Sequence, residues 1–243
     1  MKRSVFLMAS LVLFAMSLAI AQEKGTLSSY RVHPVKGKDA ALRKAITAHV
    51  AKYHTGNWRW RVFSVLSGQD EGAYMINEGP NSWTDLEGRK EISDEHQRDY
   101  ETTVLPLVEE TLPNSYLTFA KELSSAEVGA SFKKALLRHF YLKPGKGPRM
   151  TSFLTTWKKV FEKLGWNVTV WRSFYSGQPR ITVAMRLANG WVDLEKPMGK
   201  EMREAFEEFA GTGSYARYLE DLDQIVDRID EEMIELLPEV SSK

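Results

Sequence analysis

Short runs that alternate apolar and polar residues, and longer runs with helical spacing, divide the chain into predicted strands and helices. Val168–Tyr175 and Arg180–Leu187 are rich in β-branched and aromatic residues, and the turn sequence Ser176-Gly177-Gln178-Pro179 joins them. This pattern predicts a β-hairpin. Before it, apolar residues recur every three or four positions and predict a helix that ends near Gly165. These apolar residues are Phe153, Leu154, Trp157, Val160, Phe161 and Leu164.

The same order of predicted elements occurs in both halves of the chain. In the second half, a strand precedes this helix and two helices follow the hairpin: His139–Lys143, Lys200–Ala210 and Tyr215–Leu237. The first half is predicted to contain strands Tyr30–Val35, Trp58–Leu66, Ala73–Glu78 and Tyr116–Lys121, and helices Lys38–Tyr53 and His96–Glu110. Asp221–Glu235 combines acidic residues with an apolar stripe, which predicts a solvated amphipathic helix. Ser124–Leu137, between the halves, has helical character.

Two repeated sequences indicate an internal duplication. Asn81-Ser82-Trp83-Thr84-Asp85-Leu86-Glu87 recurs as Asn189-Gly190-Trp191-Val192-Asp193-Leu194-Glu195. Ser67-Gly68-Gln69 recurs as Ser176-Gly177-Gln178. The two repeated sequences occur in the same order in both halves. The offset, meaning the number of positions between equivalent residues, is nearly the same from Gly68 to Gly177 as from Trp83 to Trp191. Matches of this kind predict two copies of one structural unit.

Each copy has the strand–helix–strand–strand–helix order of a ferredoxin-like unit. With its duplication, the chain resembles the dimeric α/β-barrel superfamily, which includes antibiotic-biosynthesis monooxygenase-like and NIPSNAP-like proteins. The resemblance implies an α+β fold in which two ferredoxin-like repeats pack sheet to sheet as a pseudo-dimeric α/β barrel. The expected repeats are residues 22–123 and 138–243, joined by a helical linker at residues 124–137.

Strand alternation suggests which side chains face the space between the two sheets. In the second repeat, one hairpin face is apolar and suits the helices, whereas the other is aromatic and polar. Transfer of this assignment to the first repeat gives a mixed lining that suits a small amphipathic ligand. The candidate ligand-binding residues are His33, Trp60, Tyr74, Glu78, His139, Tyr141, Trp171, Tyr175 and Arg186. The alternative is a barrel interior that is filled by these same side chains.

The repeated Trp sequence is interpreted first as a structural loop. Asp85 and Asp193 suit the start of a following helix, and Trp83 and Trp191 are predicted to wedge the loops against the sheets. In the alternative interpretation, each indole closes one end of the cavity.

The ends and the composition limit the cellular setting. Lys2 and Arg3 precede an apolar stretch, and Ala19-Ile20-Ala21 has the form of a signal-peptidase site. Together these features predict a signal peptide over residues 1–21. The protein is therefore expected to be exported, to the periplasm or to the extracellular space. The chain has 0 Cys, which excludes disulfides and thiol chemistry. Without Lys2 and Arg3, basic and acidic residues are nearly balanced, which gives no electrostatic case for nucleic acid or for stable membrane association.

The leading functional hypothesis is an exported, cofactor-free module that binds a small amphipathic ligand between its sheets. A monooxygenase-like enzyme that uses His33, His139 or Arg186 is the first alternative, and a structural or protein-interaction domain is the second. No metal is expected, because no carboxylate–histidine spacing accompanies His33 and His139.

Overall fold

The computed structural model describes residues 24–90, 92–129, 132–195 and 198–243. The eight strands are β1 Thr26–Pro34, β2 Trp60–Val65, β3 Tyr74–Asn81, β4 Val108–Phe119, β5 Lys134–Leu142, β6 Val168–Ser173, β7 Arg180–Leu187 and β8 Val226–Leu236. The α-helices are α1 Asp39–Tyr53, α2 Trp83–Glu87, α3 Asp94–Asp99, α4 Gly147–Lys163, α5 Met198–Ala210 and α6 Ser214–Ile225. The predicted signal peptide lies outside the described residues. Within them, no helix is long and apolar enough to cross a membrane.

The strands form one closed antiparallel barrel in the order β1-β3-β2-β8-β5-β7-β6-β4. Each repeat contributes four consecutive positions of this ring, and the repeats meet twice. At one junction β2 pairs with β8, with Phe63 opposite Leu236. At the other, β4 pairs with β6, with Phe119 opposite Trp171. The predicted α+β pseudo-dimeric barrel is therefore confirmed, and each of the eight described strands has a partner on both sides.

Three buried clusters hold the barrel and its helices together. Outside the barrel, α1 packs on the first repeat through residues such as Leu42 and Ile46, and α4 packs on the second through Leu154 and Trp157. A third cluster fills much of the interior. Its members are Phe63, Val65, Ala73, Met75, Ala135, Leu137, Ala184 and Ile234.

The repeated Ser-Gly-Gln sequence is explained by its turns. Gly68 and Gly177 both have positive φ, 96° and 80°. L-residues rarely adopt this conformation. At Gly68 a Cβ would also lie 2.7 Å from the carbonyl oxygen of Glu231, so this hairpin passes too close to β8 for any side chain.

Several sequence-based predictions of secondary structure are wrong, all next to strands that close the barrel. The predicted helix Tyr215–Leu237 ends at Ile225, and the predicted amphipathic helix Asp221–Glu235 lies mostly in β8. The helix His96–Glu110 gives way to β4 at Val108, and the predicted helical linker gives way to β5 at Lys134. In each case long-range pairing overrides helical propensity. For example, β8 pairs with β5 from Glu235 to Val226.

Candidate functional site

The barrel interior contains a small cavity of about 90 Å³. This volume holds roughly three water molecules and is smaller than the ~150 Å³ cavity known to bind benzene. Of the residues predicted on the interior face of the second repeat, His139, Trp171 and Arg186 line the cavity. Tyr141 lies beyond it and lines a smaller recess with Arg180 and Asp230.

The predicted interior face of β2 and β3 is wrong. Trp60 and Tyr74 belong to the cluster beneath α1, where the Tyr74 hydroxyl donates to Asp39 at 2.7 Å. Glu78 is buried on the same side and accepts a 3.0 Å hydrogen bond from the Trp60 indole. A one-residue error in alternation moves every side chain of a strand to the other face. The interior positions are instead Arg61, Phe63, Met75 and Asn77.

The duplication contained the signal that corrects this error. Trp60 and Val168 are separated by the same offset as Trp83 and Trp191, and Tyr74 and Val183 by the same offset as Gly68 and Gly177. Val168 and Val183 pack on the helix side of the second repeat. The correct faces therefore follow when the offset of the repeated sequences is applied to the strands.

Two other candidates lie away from the cavity. Tyr175 follows β6, is 72% exposed and contacts the ring of Trp83 at 5.4 Å between centroids. His33 is partly buried near the end of β1, opposite Glu110. Neither is among the residues that line the interior cavity.

The two Trp loops differ in structure. Ser82 caps α2, and Asp85 completes a capping box with it. In the second repeat, Asp193 accepts hydrogen bonds from the backbone and the side chain of Asn189. Trp83 and Trp191 remain 38% and 42% exposed.

A buried polar network joins the two repeats inside the barrel. Glu232 of β8 pairs with Arg31 of β1 and lies 3.1 Å from Nε2 of His139. The hydroxyl of Thr182 lies 2.8 Å from Nδ1 of the same ring. An ionised Glu232 accepts from Nε2, and in the neutral ring Nδ1 then accepts from the Thr182 hydroxyl, so both imidazole nitrogens are engaged. Burial alone would raise the pKa of Glu232, but the hydrogen bond from His139 and the charge of Arg31 lower it overall.

Two arginines meet at the interior cavity with no carboxylate partner among the described residues. Arg61 of β2 donates to the carbonyl of Gly129 at 2.9 Å, and Arg186 of β7 donates to that of Glu127 at 3.0 Å. Burial lowers the pKa of both guanidinium groups, and the charge of Arg61 lowers that of Arg186 further. The cavity therefore presents uncompensated positive charge beside an apolar lining.

A larger cavity of about 300 Å³ lies between the sheet and the helices of the second repeat. Its lining is largely aromatic and aliphatic, with Arg138 as the charged exception. Arg138 is paired with Glu231. The residues that enclose most of the space are Leu154, Trp157, Phe161, Trp166, Met185, Tyr215 and Tyr218.

On the helix side of the first repeat, three histidines converge, a feature that the sequence patterns did not reveal. His49, His54 and His96 come from α1, from the residue after it and from α3. Burial lowers the pKa of His49, and it lowers that of His54 to about 3. The spacing of His49 and His54 gave no signal for this site, because residues five positions apart lie on different faces of a helix.

Comparison with known proteins defines the fold. No protein-family profile and no curated protein sequence matches the chain. Among solved structures, a protein described as a proposed monooxygenase from Fusobacterium nucleatum has a TM-score of 0.56 at 10% identity, covering 87% of this chain and 92% of that one. An anthrone oxidase-like protein has a TM-score of 0.58 at 13% identity, covering 88% and 92%. A chlorite dismutase variant from Candidatus Nitrospira defluvii has a TM-score of 0.55 at 8% identity, covering 90% and 94%.

These likenesses extend over nearly the whole chain. The chain has the dimeric α/β-barrel fold, with both ferredoxin-like units in one polypeptide. At such low identities the fold alone carries over, and function has to be argued from this chain's own residues.

Proposed function

We propose that the protein binds a small, partly apolar carboxylate or similar anion inside its barrel, with the charged group at Arg61 and Arg186. The observation that carries this proposal is the convergence of two half-buried guanidinium groups on one apolar cavity without a carboxylate partner among the described residues. Burial of unpaired charge is costly, and an anionic ligand relieves that cost through bidentate pairing.

The cavity limits the size of the bound group. Because its volume is about 90 Å³, only a few non-hydrogen atoms of a ligand fit inside, and any larger part extends toward the loop that carries Glu127 and Gly129. Phe132, beside this loop, stacks on Phe63 with a centroid separation of 5.7 Å and lies beneath the guanidinium of Arg186. An aromatic or branched aliphatic carboxylate suits this combination of positive charge and apolar surface.

The test is a binding series of acetate, isobutyrate and benzoate, each matched by its neutral amide, measured by calorimetry and thermal shift. We expect the carboxylates to bind and stabilise the protein, and the amides to have little effect. Arg61→Gln and Arg186→Gln should each remove this preference. Arg138→Gln is the matched control, because Arg138 is paired with Glu231 on the outer face of β5.

Equal stabilisation by acids and amides, or equal loss of binding in Arg138→Gln, would refute the proposal. Binding that survives in both interior variants would show that neither Arg61 nor Arg186 holds the anion.

A monooxygenase-like activity is the second candidate, and one observation favours it. The 300 Å³ apolar cavity of the second repeat is large enough for a fused aromatic ring system, and two of the similar structures are described as a proposed monooxygenase and as anthrone oxidase-like. The interior His139 gives this candidate less support, because both of its ring nitrogens already have protein partners.

The test of the second candidate is oxygen uptake with anthrone as the probe. Leu154→Trp, which fills the cavity, should abolish uptake, whereas Arg186→Gln should leave it unchanged. Absence of uptake by the wild-type protein would remove this candidate without affecting the anion-binding proposal.

A further inference from the structure

The histidine cluster of the first repeat is buried and assembled from three separate segments. His49 and His54 are 1% and 0% exposed, and His96 is 9% exposed. They are three of the five histidines in the chain. Packing of α3 against the C-terminal end of α1 brings them together.

The Nε2 atom of His54 lies close to the Nε2 atoms of both other rings. Nε2 of His54 lies 3.3 Å from Nε2 of His49 and 3.3 Å from Nε2 of His96. The potential ligand atoms of all three rings lie within 4.8 Å of one another.

The outer ring atoms of two histidines show which nitrogens hold lone pairs. Nδ1 of His54 lies 3.0 Å from the carbonyl oxygen of Trp58, which can only accept, so this nitrogen carries the hydrogen. Nδ1 of His49 lies 2.7 Å from the carboxylate of Asp99 and donates to it in the same way. In the neutral rings, Nε2 of His49 and Nε2 of His54 are therefore both acceptors, and two facing lone pairs form no hydrogen bond. A cation between them resolves this conflict.

We propose that His49, His54 and His96 form a binding site for one divalent transition-metal ion of the zinc type. Zinc–nitrogen bonds of about 2.0–2.1 Å in tetrahedral geometry place neighbouring nitrogens roughly 3.3–3.4 Å apart. The two 3.3 Å separations at His54 match this edge length. Imidazole ligands select zinc and its transition-metal neighbours over magnesium and calcium.

The surroundings support the same assignment. Metal-binding histidines usually donate their second ring hydrogen to a carboxylate or a backbone carbonyl, and Asp99 and Trp58 supply these two acceptors. Trp60 stacks on His54 at 3.7 Å between centroids and fixes the orientation of that ring. Three ligands among the residues that the structure describes leave a fourth position for another ligand such as water or a small anion, as in catalytic rather than structural zinc sites.

Neighbouring acidic side chains have other roles. Glu78 approaches His54 on the Nδ1 side, at 3.8 Å, and accepts hydrogen bonds from Trp60 and Arg89. Asp99 engages the outer nitrogen of His49. The site is therefore built on imidazole nitrogens rather than on an acidic cluster.

The experiment is a titration of chelator-treated, full-length folded protein with Zn²⁺, Co²⁺ and Mg²⁺. We expect one equivalent of Zn²⁺ to bind and to raise the melting temperature. Co²⁺ should give the visible absorption of a tetrahedral nitrogen site, and Mg²⁺ should have no effect. His54→Gln and His96→Gln should lose the Co²⁺ spectrum, whereas His33→Gln, outside the cluster, should keep it.

Asp99→Asn provides a second test if the ligand variants fold poorly. It keeps the three ligands but weakens the acceptor for His49, so metal affinity should fall roughly 10- to 100-fold with little change in metal-free stability. A metal-free protein that shows no stoichiometric Zn²⁺ binding, or a Co²⁺ spectrum that survives in His54→Gln, would overturn the proposal. Neither outcome depends on whether the barrel binds an anion.

Discussion

The helix-side cores of the two repeats occupy equivalent places but differ in chemistry. His49 of α1 and Trp157 of α4 are related by the same offset that relates Trp83 to Trp191. Around His49 lie His54, His96 and the carboxylate of Asp99. Around Trp157 lie Phe206 and Tyr218, at centroid distances of 5.0 and 5.6 Å.

This difference shows which parts of the duplicated unit have stayed alike. Strand order, the Ser-Gly-Gln turns and the sequences of the Trp loops are shared, whereas the core beneath the helices includes a histidine cluster in one repeat and is aromatic in the other. The interior arginines also lie at positions where the two repeats differ. At the offsets of the Trp loops and the Ser-Gly-Gln turns, Arg61 corresponds to Thr169, and Arg186 corresponds to Asn77. Distinct chemistry thus lies at positions where the copies diverge.

The largest expected effect is on the aromatic core of the second repeat. Trp157 is 6% exposed, and Trp157→Ala should lower the free energy of unfolding by about 3–5 kcal/mol through lost burial and a new cavity. Denaturant unfolding measures this loss. Trp191→Ala, at a Trp that is 42% exposed, should cost much less, and equal losses would mean that the core is not centred on Trp157.

The polar network between the repeats should give the next largest effect. Glu232→Gln weakens the pairing with Arg31 and His139, and we expect a loss of about 1–3 kcal/mol near neutral pH. The folded-state pKa of Glu232 lies below its usual value of 4.5. Its stabilising contribution is therefore fully present above pH 4.5, and it is lost as the pH falls from there through the folded-state pKa.

The pH dependence provides the control for this prediction. Wild-type stability should fall more steeply than that of Glu232→Gln below pH 4.5, and the two curves should be parallel above it. If the stability of Glu232→Gln falls with decreasing pH as steeply as that of the wild type below pH 4.5, the proposed ionisation of Glu232 is contradicted.

A smaller effect tests the corrected faces of β2 and β3. Tyr74→Phe removes the hydrogen bond to Asp39 beneath α1 and should cost about 1 kcal/mol, with no change in carboxylate binding. If carboxylate binding weakens instead, Tyr74 faces the interior and the assignment of faces is wrong.

The smallest expected stability change is at the arginine pair. Arg186→Gln removes one of two like charges that repel across the cavity, so the free energy of unfolding should change by less than about 1 kcal/mol or rise. A loss of several kcal/mol would indicate that Arg186 supports the fold rather than a ligand.

The sequence was sufficient to predict the barrel, the duplication and part of the interior face of the second repeat. These predictions succeeded because hydrophobic alternation and the repeated Trp83 and Trp191 sequences are local patterns, which can be recognised in the sequence of one repeat or the other. The same patterns failed at β8. Its acidic run has the spacing of an amphipathic helix, but in the structure it is a strand that pairs with β5 on one side and β2 on the other. They also failed at the histidine cluster, because the closeness of His96 to His49 and His54 depends on tertiary packing that no spacing along the chain specifies.

Anomalous X-ray diffraction from crystals of zinc-loaded protein tests most directly the claim that the copies have diverged in chemistry beneath their helices. We predict one strong zinc peak per chain, bonded to Nε2 of His49, His54 and His96, and no peak beneath the helices of the second repeat. Zinc only at surface carboxylates, or an unloaded histidine cluster in a crystal with zinc elsewhere, would contradict the account.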